Sequence, residues 1–310
     1  MNSNPNKVKQ FLVFSVKVLV VGLSFYFIYN QLSSNKALDW SKFWILLHTK
    51  TTFWNVFLIL GMSFLNRFLE ILKWQNLVST FKKINVSEAT KQVLASLTAG
   101  IFTPNGIGEY AGKALYYPKS ETKNILFLNL ICNGIQMIIT IFFGTIGLFV
   151  LGFYKLGCFI LLLMIVAVLL IFISKKITIK GYCLQQFIEK TKAIPKKIHQ
   201  KNLFFGLLRY LIFTHQFYLL FVFFGVNLPY IVMISSKSCI YFLSSSLPSF
   251  QFLDFAVKGS VAVYYLGRLG VNEWLIIIVT TLMWFLNVVI PIIIGSLYVL
   301  NFKISNEEKQ

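Results

Sequence analysis

Acidic side chains are scarce in this chain: 10 Asp and Glu stand against 29 Lys and Arg, for a net charge of +19. Charge of either sign is sparse too, at 13% of residues, while 57% are hydrophobic and the mean hydropathy is +0.72. Such a composition excludes an ordinary soluble domain and points to a polytopic α-helical membrane protein. Histidine occurs three times, too rarely for a His-rich metal site. The four cysteines, Cys132, Cys158, Cys183 and Cys239, show no metal or redox spacing. Three fall in or beside apolar runs, so buried inert thiols are expected. Nothing resembles a nucleophile–base pair, a metal cluster or a P-loop. The chain is therefore not expected to be an enzyme or to carry a metal or cofactor. The surplus lysines lie mostly between apolar runs, where they read as topology signals and contacts to anionic lipid headgroups rather than to nucleic acid.

The apolar runs are what the chain has in abundance. Full spans are expected over 11–29, 52–72, 124–151, 156–173, 203–226 and 274–300. The first has a basic flank but no small-residue cleavage site after it, and reads as a retained signal anchor. Residues 31–51 read as a loop with Trp40 and Trp44 as interface anchors. Residues 174–202 carry Lys175, Lys176, Lys180, Lys190, Lys192, Lys196, Lys197 and Lys201 against Glu189 alone. This segment is expected in the cytoplasm, either as a solvated loop or as a surface helix with Leu184, Phe187, Ile188 and Ile194 on the membrane. It divides a single integral membrane domain, 1–310, into a first half at about 11–173 and a second at about 203–300.

Two stretches do not read as plain spans. In Ile101-Phe102-Thr103-Pro104-Asn105-Gly106-Ile107-Gly108-Glu109, a helix must stop, because Pro104 lacks a donor and Asn105, Gly106 and Gly108 tolerate turns. A helix restarting near Gly108 puts Glu109 in its first turn, favoured by the dipole, with Lys113 on the same face. The preceding arm, 89–103, has 15 residues or roughly 22 Å of helix, and the following arm, 108–117, has 10 or roughly 15 Å. Neither covers a hydrocarbon core of about 30 Å, so the pair reads as a re-entrant hairpin. Tyr230–Leu247 and Phe252–Leu269, broken at Pro248, form a second interrupted pair, which is either re-entrant or crosses fully. Its Pro248, Asp254 and Lys258 echo Pro104, Glu109 and Lys113. Each pair lies between two full spans, and the first opens from the cytoplasm and the second from outside. The expected architecture is thus about six full spans plus two interrupted hairpins in an inverted-topology repeat, which places substrate sites near the midplane.

The residues around the first break resemble the "TPG-x-x-GE" motif of the flippase-like lysylphosphatidylglycerol synthase transmembrane family: Ser96 to Glu109, then Lys113. Arg67 to Trp74 is similar to that family's basic-aromatic end of the preceding span, and Leu247-Pro248 with Asp254 and Lys258 to its weaker second motif. Asn105 stands where Gly is usual, and Asp254 replaces Glu. The resemblance implies a bacterial inner-membrane protein that handles a lipid headgroup. No aminoacyl-transferase domain follows residue 300 in this sequence, so aminoacyl-lipid synthesis is not expected.

The candidate substrate-binding residues are Arg67, Pro104, Gly106, Gly108, Glu109, Lys113, Pro248, Asp254 and Lys258. Ionisable groups in a membrane need a partner or a wet cavity. Glu109 with Lys113, and Asp254 with Lys258, either meet at a central cavity that takes a charged headgroup or cap their own helices and pair locally. Arg67 either pairs with Glu70 or binds a phosphate with its planar fork. Asn129, Asn133 and Gln136 share one stripe, for cavity or helix contacts. His215 and Gln216 are either a proton relay or a packing pair. The reading is a flippase-like protein binding or translocating a lipid or lipid-linked headgroup, with an anionic membrane phospholipid as partner. The alternatives are an intramembrane lipid-modifying enzyme and a scaffold for a lipid or glycan pathway.

Both termini and the 174–202 segment are expected on the cytoplasmic side. A cysteine placed at Lys192 should stay unlabelled by an impermeant thiol reagent in intact cells and react after permeabilisation; labelling in intact cells would reverse the orientation.

Overall fold

Apolar runs with few polar breaks have one common backbone solution, the helix, which pairs its own N–H and C=O groups. A computed structural model describes residues 40–101, 103, 106–173, 178–179, 182–247 and 253–302, with seven helical positions between 15 and 29. Pro104, Asn105 and Pro248 lie outside the described residues, as does most of the expected first span. The helices are α1 (Trp40–Lys50), α2 (Phe53–Val78), α3 (Val86–Gly100), α4 (Ile107–Ala114), α5 (Thr122–Val150), α6 (Tyr154–Ile173), α7 (Leu184–Ala193), α8 (Lys196–Phe223), α9 (Tyr230–Ser246), α10 (Asp254–Gly267), α11 (Glu273–Trp284) and α12 (Ile290–Leu300). A π-helical turn, Phe285–Val289, joins α11 to α12. Thr178–Ile179 and Tyr182–Cys183 form a two-residue antiparallel ladder ahead of α7.

Among the described residues, five helices are long and apolar enough to cross a membrane: α2, α5, α6, α8 and the joined α11–α12. They coincide with the five expected spans after the first. The arms of the interrupted pairs are shorter, at 15 and 8 residues for α3 and α4 and 17 and 14 for α9 and α10. None of the four arms is among the candidate spans.

Several boundaries differ from the sequence reading, each for a local reason. The expected loop 31–51 contains α1, whose Phe43 and Leu46 pack onto the main core. Within it Trp44 is exposed and stacks on His48. Helix α2 continues six residues beyond Leu72 because Trp74, Leu77 and Val78 are buried. Lys73, read as part of a basic loop, is fully buried on that extension. Helix α3 begins at Val86, since Asn85 and Glu88 form a reciprocal capping box. In the basic segment, α8 starts at Lys196, straight after Pro195, and runs on into the fifth span. Ile194 and Ile198 dock there against Trp74 and Val78, and Asn76 donates to the Ile198 carbonyl. Cys132 and Cys239 are buried as expected, but Cys158 is exposed on α6, a helix with little buried surface.

The π turn has an identifiable cause. Pro291 has no N–H to give the carbonyl four residues back, and its ring crowds that carbonyl, which belongs to Asn287. The helix widens over 285–289 instead of breaking.

Packing pairs the elements reciprocally. The helix before each interrupted pair, α2 or α8, lies against the other. The first arm of the first pair, α3, packs on α12, and the first arm of the second, α9, packs on α5. Both of the latter contacts run through glycine. A Cβ on Gly295 would lie 2.2 Å from the Leu94 carbonyl oxygen, and one on Gly147 would lie 2.7 Å from the Ser235 carbonyl oxygen. Backbone cannot yield as a side chain can, so these helices approach as closely as bare main chain permits. A smaller core of Leu97, Ile101, Phe255, Trp284, Val289 and Ile292 ties α3 to α10 and to both halves of the last helix.

Gly295→Ala and Gly147→Ala should each lower the melting temperature of the purified protein, at a cost of about 1–3 kcal/mol for overpacking. Gly61→Ala should not lower it, because nothing lies within 4 Å of a Cβ there and Ala is the better helix former. Equal melting of all three would refute the close-contact account.

Candidate functional site

Between the two interrupted pairs lies a cavity of about 470 Å³. Its walls come from α2 (Asn66, Arg67, Glu70), α4 and the turn before it (Gly106, Glu109, Tyr110), α5 (Asn133, Gln136, Thr140), α8 (Arg209, Tyr210, Phe213), α9 (Lys237, Tyr241, Ser244, Ser245), α10 (Asp254, Lys258) and the last helix (Asn287).

Local sequence explains how Glu109 arrives there. Gly106 adopts φ 68° and ψ 24°, a left-handed geometry that strains any residue with a Cβ. Thr103 then serves both helix ends: its hydroxyl donates to the Gly100 carbonyl at 2.7 Å and accepts the Gly108 N–H at 2.7 Å. Small residues let α4 lie flat on α3. A Cβ on Gly108 would meet the Ala99 carbonyl oxygen at 2.8 Å, and one on Gly112 would meet Ser96 Cβ at 2.8 Å. Gly100 clears the space that the Glu109 side chain occupies, since a Cβ there would sit 2.7 Å from Glu109 Cγ.

On the other side, α10 opens with Asp254, which pairs with Lys258 one turn on. The two side chains are about one-fifth exposed, at 21% and 20%, and both line the cavity.

The floor is a polar network between α2, α8 and the π turn. Glu70 accepts from Arg209 Nη1 and from Lys73 Nζ, the latter at 3.3 Å. Arg209 Nε donates to Asn66 Oδ1 at 2.9 Å, and Asn66 Nδ2 donates to Asn287 Oδ1 at 3.0 Å. Asn287 Nδ2 in turn donates to Gln216 Oε1 at 3.0 Å, and Gln216 donates to Ser63 and to the Ile59 carbonyl. Arg67 Nη2 donates to the Asn287 carbonyl, the one that Pro291 leaves without its helical donor. The Pro291 gap and the Arg67 contact are thus one feature.

Set against the sequence candidates, the geometry gathers Arg67, Gly106, Glu109, Asp254 and Lys258 at one cavity. Gly108 works behind the wall, in helix packing. Lys113 is not on the wall: it is 1% exposed, donates to Asn129 Oδ1 at 2.7 Å and lies 4.6 Å from the centre of the Trp74 ring. Pro104 and Pro248 fall outside the described residues. The alternative Arg67–Glu70 pair is not formed; Glu70 is held by Arg209 and Lys73 instead. The amide stripe divides, with Asn133 and Gln136 on the wall and Asn129 on Lys113. His215 is half-buried and bonded to Tyr230 Oη at 2.7 Å, while Gln216 faces the core network, so the two do not form a relay. At the entry end of the first pair, Gln92 Oε1 accepts from Trp74 Nε1 at 2.7 Å and from Tyr117 Oη at 2.8 Å. Burial pushes the Tyr117 phenol up to about 12, so it stays a donor.

Arg209, Lys237, Asn66 and Asn287 hold site positions that the sequence reading left without a role. Arg209 and Lys237 carried the same signal as Arg67, a cation inside an apolar run. No group of three His, Cys, Asp or Glu suits a metal ion among the described residues. Comparison with family models, curated proteins and solved structures found no match.

Removing one partner of a buried ion pair leaves the other uncompensated, at a cost of about 3–5 kcal/mol. Glu70→Gln, which takes the carboxylate from both Arg209 and the buried Lys73, should therefore destabilise the protein strongly in a thermal melt. Arg209→Met should cost less, because Glu70 keeps Lys73. A Glu70→Gln variant that melts no lower than Arg209→Met would show that the ion pairs are not what holds these helices.

Proposed function

We propose that this chain is a flippase-like membrane protein that binds a lipid or lipid-linked headgroup in the cavity between its interrupted helices and carries it across the bilayer. One observation carries the reading: two broken-helix pairs, each with an acid in the first turn of its second arm, converge with Arg67 on a single charged cavity that is also lined by the apolar helices α2, α5, α8 and α11. A charged cavity among membrane helices stabilises a polar group that hydrocarbon would reject. Its volume, about 470 Å³, suits a headgroup.

The inverted repeat belongs to this proposal. It is supported by the reciprocal packing, α2 on α8 and α3 on α12 matched by α9 on α5. On this reading α3–α4 enters from the cytoplasm and α9–α10 from outside, and the site lies near the midplane. The resemblance to the lysylphosphatidylglycerol synthase transmembrane family at Ser96 to Glu109 and Lys113 supports it. The proposal sets the protein in a bacterial inner membrane, with both termini cytoplasmic on the strength of its lysine distribution, and gives it an anionic phospholipid as cargo. Transport rather than catalysis is proposed because, among the described residues, the cavity wall offers ion pairs and amides and no hydroxyl hydrogen-bonded to a base.

Glu109→Gln should abolish headgroup movement in liposomes that contain only this protein, with insertion and melting retained. Movement by the wild type that Glu109→Gln leaves intact would reduce Glu109 to a helix cap. Chemical conversion of the lipid without movement would favour an enzyme, and neither activity would favour a scaffold.

A further inference from the structure

Among the described residues, Lys237 is a cation of this cavity with neither a carboxylate nor a hydrogen-bond acceptor as partner. It sits near the middle of α9, is 3% exposed and lines the cavity. Its ammonium lies 4.4 Å from the ring centres of Phe213 and Phe217 and 5.6 Å from that of Tyr241. Among the described residues no carboxylate pairs with it and no hydrogen-bond acceptor takes its protons. Ring faces offset part of the desolvation of a buried cation. They accept none of its three N–H bonds in the way an oxygen does.

The neighbouring acids are already engaged. Asp254 pairs with Lys258, and Glu70 with Arg209 and Lys73. On the wall, the cations Arg67, Arg209, Lys237 and Lys258 outnumber the acids Glu70, Glu109 and Asp254. Lys258 lies on the same rings as Lys237, 5.9 Å from Phe213 and 5.5 Å from Tyr241, so one small group can face both ammonium ions. Ser244 and Ser245, two turns along α9 from Lys237, also reach the cavity.

We propose that Lys237 and Lys258, set against Phe213 and Tyr241, form an anion subsite that seats a phosphate group of the ligand. A phosphate suits the place because its several oxygens accept from separate donors at once. The ammonium of Lys237 supplies charge and short hydrogen bonds, and the rings keep competing water away from its flanks. This assignment rests on the cavity reading above and names which part of the ligand sits where. The phosphate belongs either to a lipid headgroup or to a soluble organophosphate.

The test uses the full chain in detergent, native mass spectrometry, and three probes: phosphatidylglycerol, diacylglycerol and glycerol 3-phosphate. The variant is Lys237→Met, which keeps the length of the side chain among the rings. The wild type should retain phosphatidylglycerol over diacylglycerol. Lys237→Met should lose about tenfold of that preference, as expected for one charge-assisted hydrogen bond, while holding diacylglycerol as the wild type does. An unchanged preference in Lys237→Met would overturn the subsite and leave the lipid reading standing. Equal loss of both lipids would make Lys237 structural and overturn the subsite. Glycerol 3-phosphate bound by the wild type and lost by Lys237→Met, with no preference for phosphatidylglycerol, would keep the subsite and overturn the lipid reading. A wild type that prefers neither phosphorylated probe would overturn both.

Discussion

A charge inside a bilayer needs a partner or a wet cavity, and the centre of this bundle is arranged around one such demand. Glu70 on α2 holds Arg209 on α8 and Lys73 on its own helix. The pairing joins the two helices that precede the interrupted pairs. It also brings Asn66 and Asn287 into the same network, so the last helix is fastened to the same point. The cavity can be polar because this floor is already paired. Without it, three helices would present separate polar groups to hydrocarbon, each at a cost of several kcal/mol.

Close backbone contact is the second organising constraint. In lipid there is little hydrophobic gain from helix association, so packing depends on how near main chains can come. Gly295, Gly147, Gly108 and Gly112 occupy such contacts. The first two hold one interrupted pair against each half. The last two fold α4 onto α3 and so aim Glu109. Side-chain size at these glycines therefore decides where the acid stands, although none of them touches the cavity.

Much of this was legible in the sequence. The five described spans were found because long apolar runs have only one backbone solution. The two breaks were found because Pro and Gly stop helices for local reasons. Glu109, Asp254 and Lys258 were found because acids at helix starts with a Lys four residues on are conspicuous in so apolar a chain. What stayed hidden depends on contacts distant in sequence. Glu70 was matched to Arg67, its neighbour along the helix, whereas it is held by Lys73 on the same helix and by Arg209, 139 residues away. Lys113 was placed with Glu109 by spacing, but a turn of so short a helix let it slip behind the wall to Asn129. Lys237 drew no notice because no acid accompanies it along its helix.

The last helix is two rods in series. Its outer rod, α12, is locked to α3 through Gly295, and its inner rod, α11, packs on α10. Between them the π turn has traded one regular hydrogen bond for an arginine side chain. Each interrupted pair thus has a contact on a different rod, and the irregular turn lies between the two contacts. A displacement of one pair relative to the other would load that turn. Movement at Asn287 would in turn shift the carbonyl that Arg67 holds at the cavity floor.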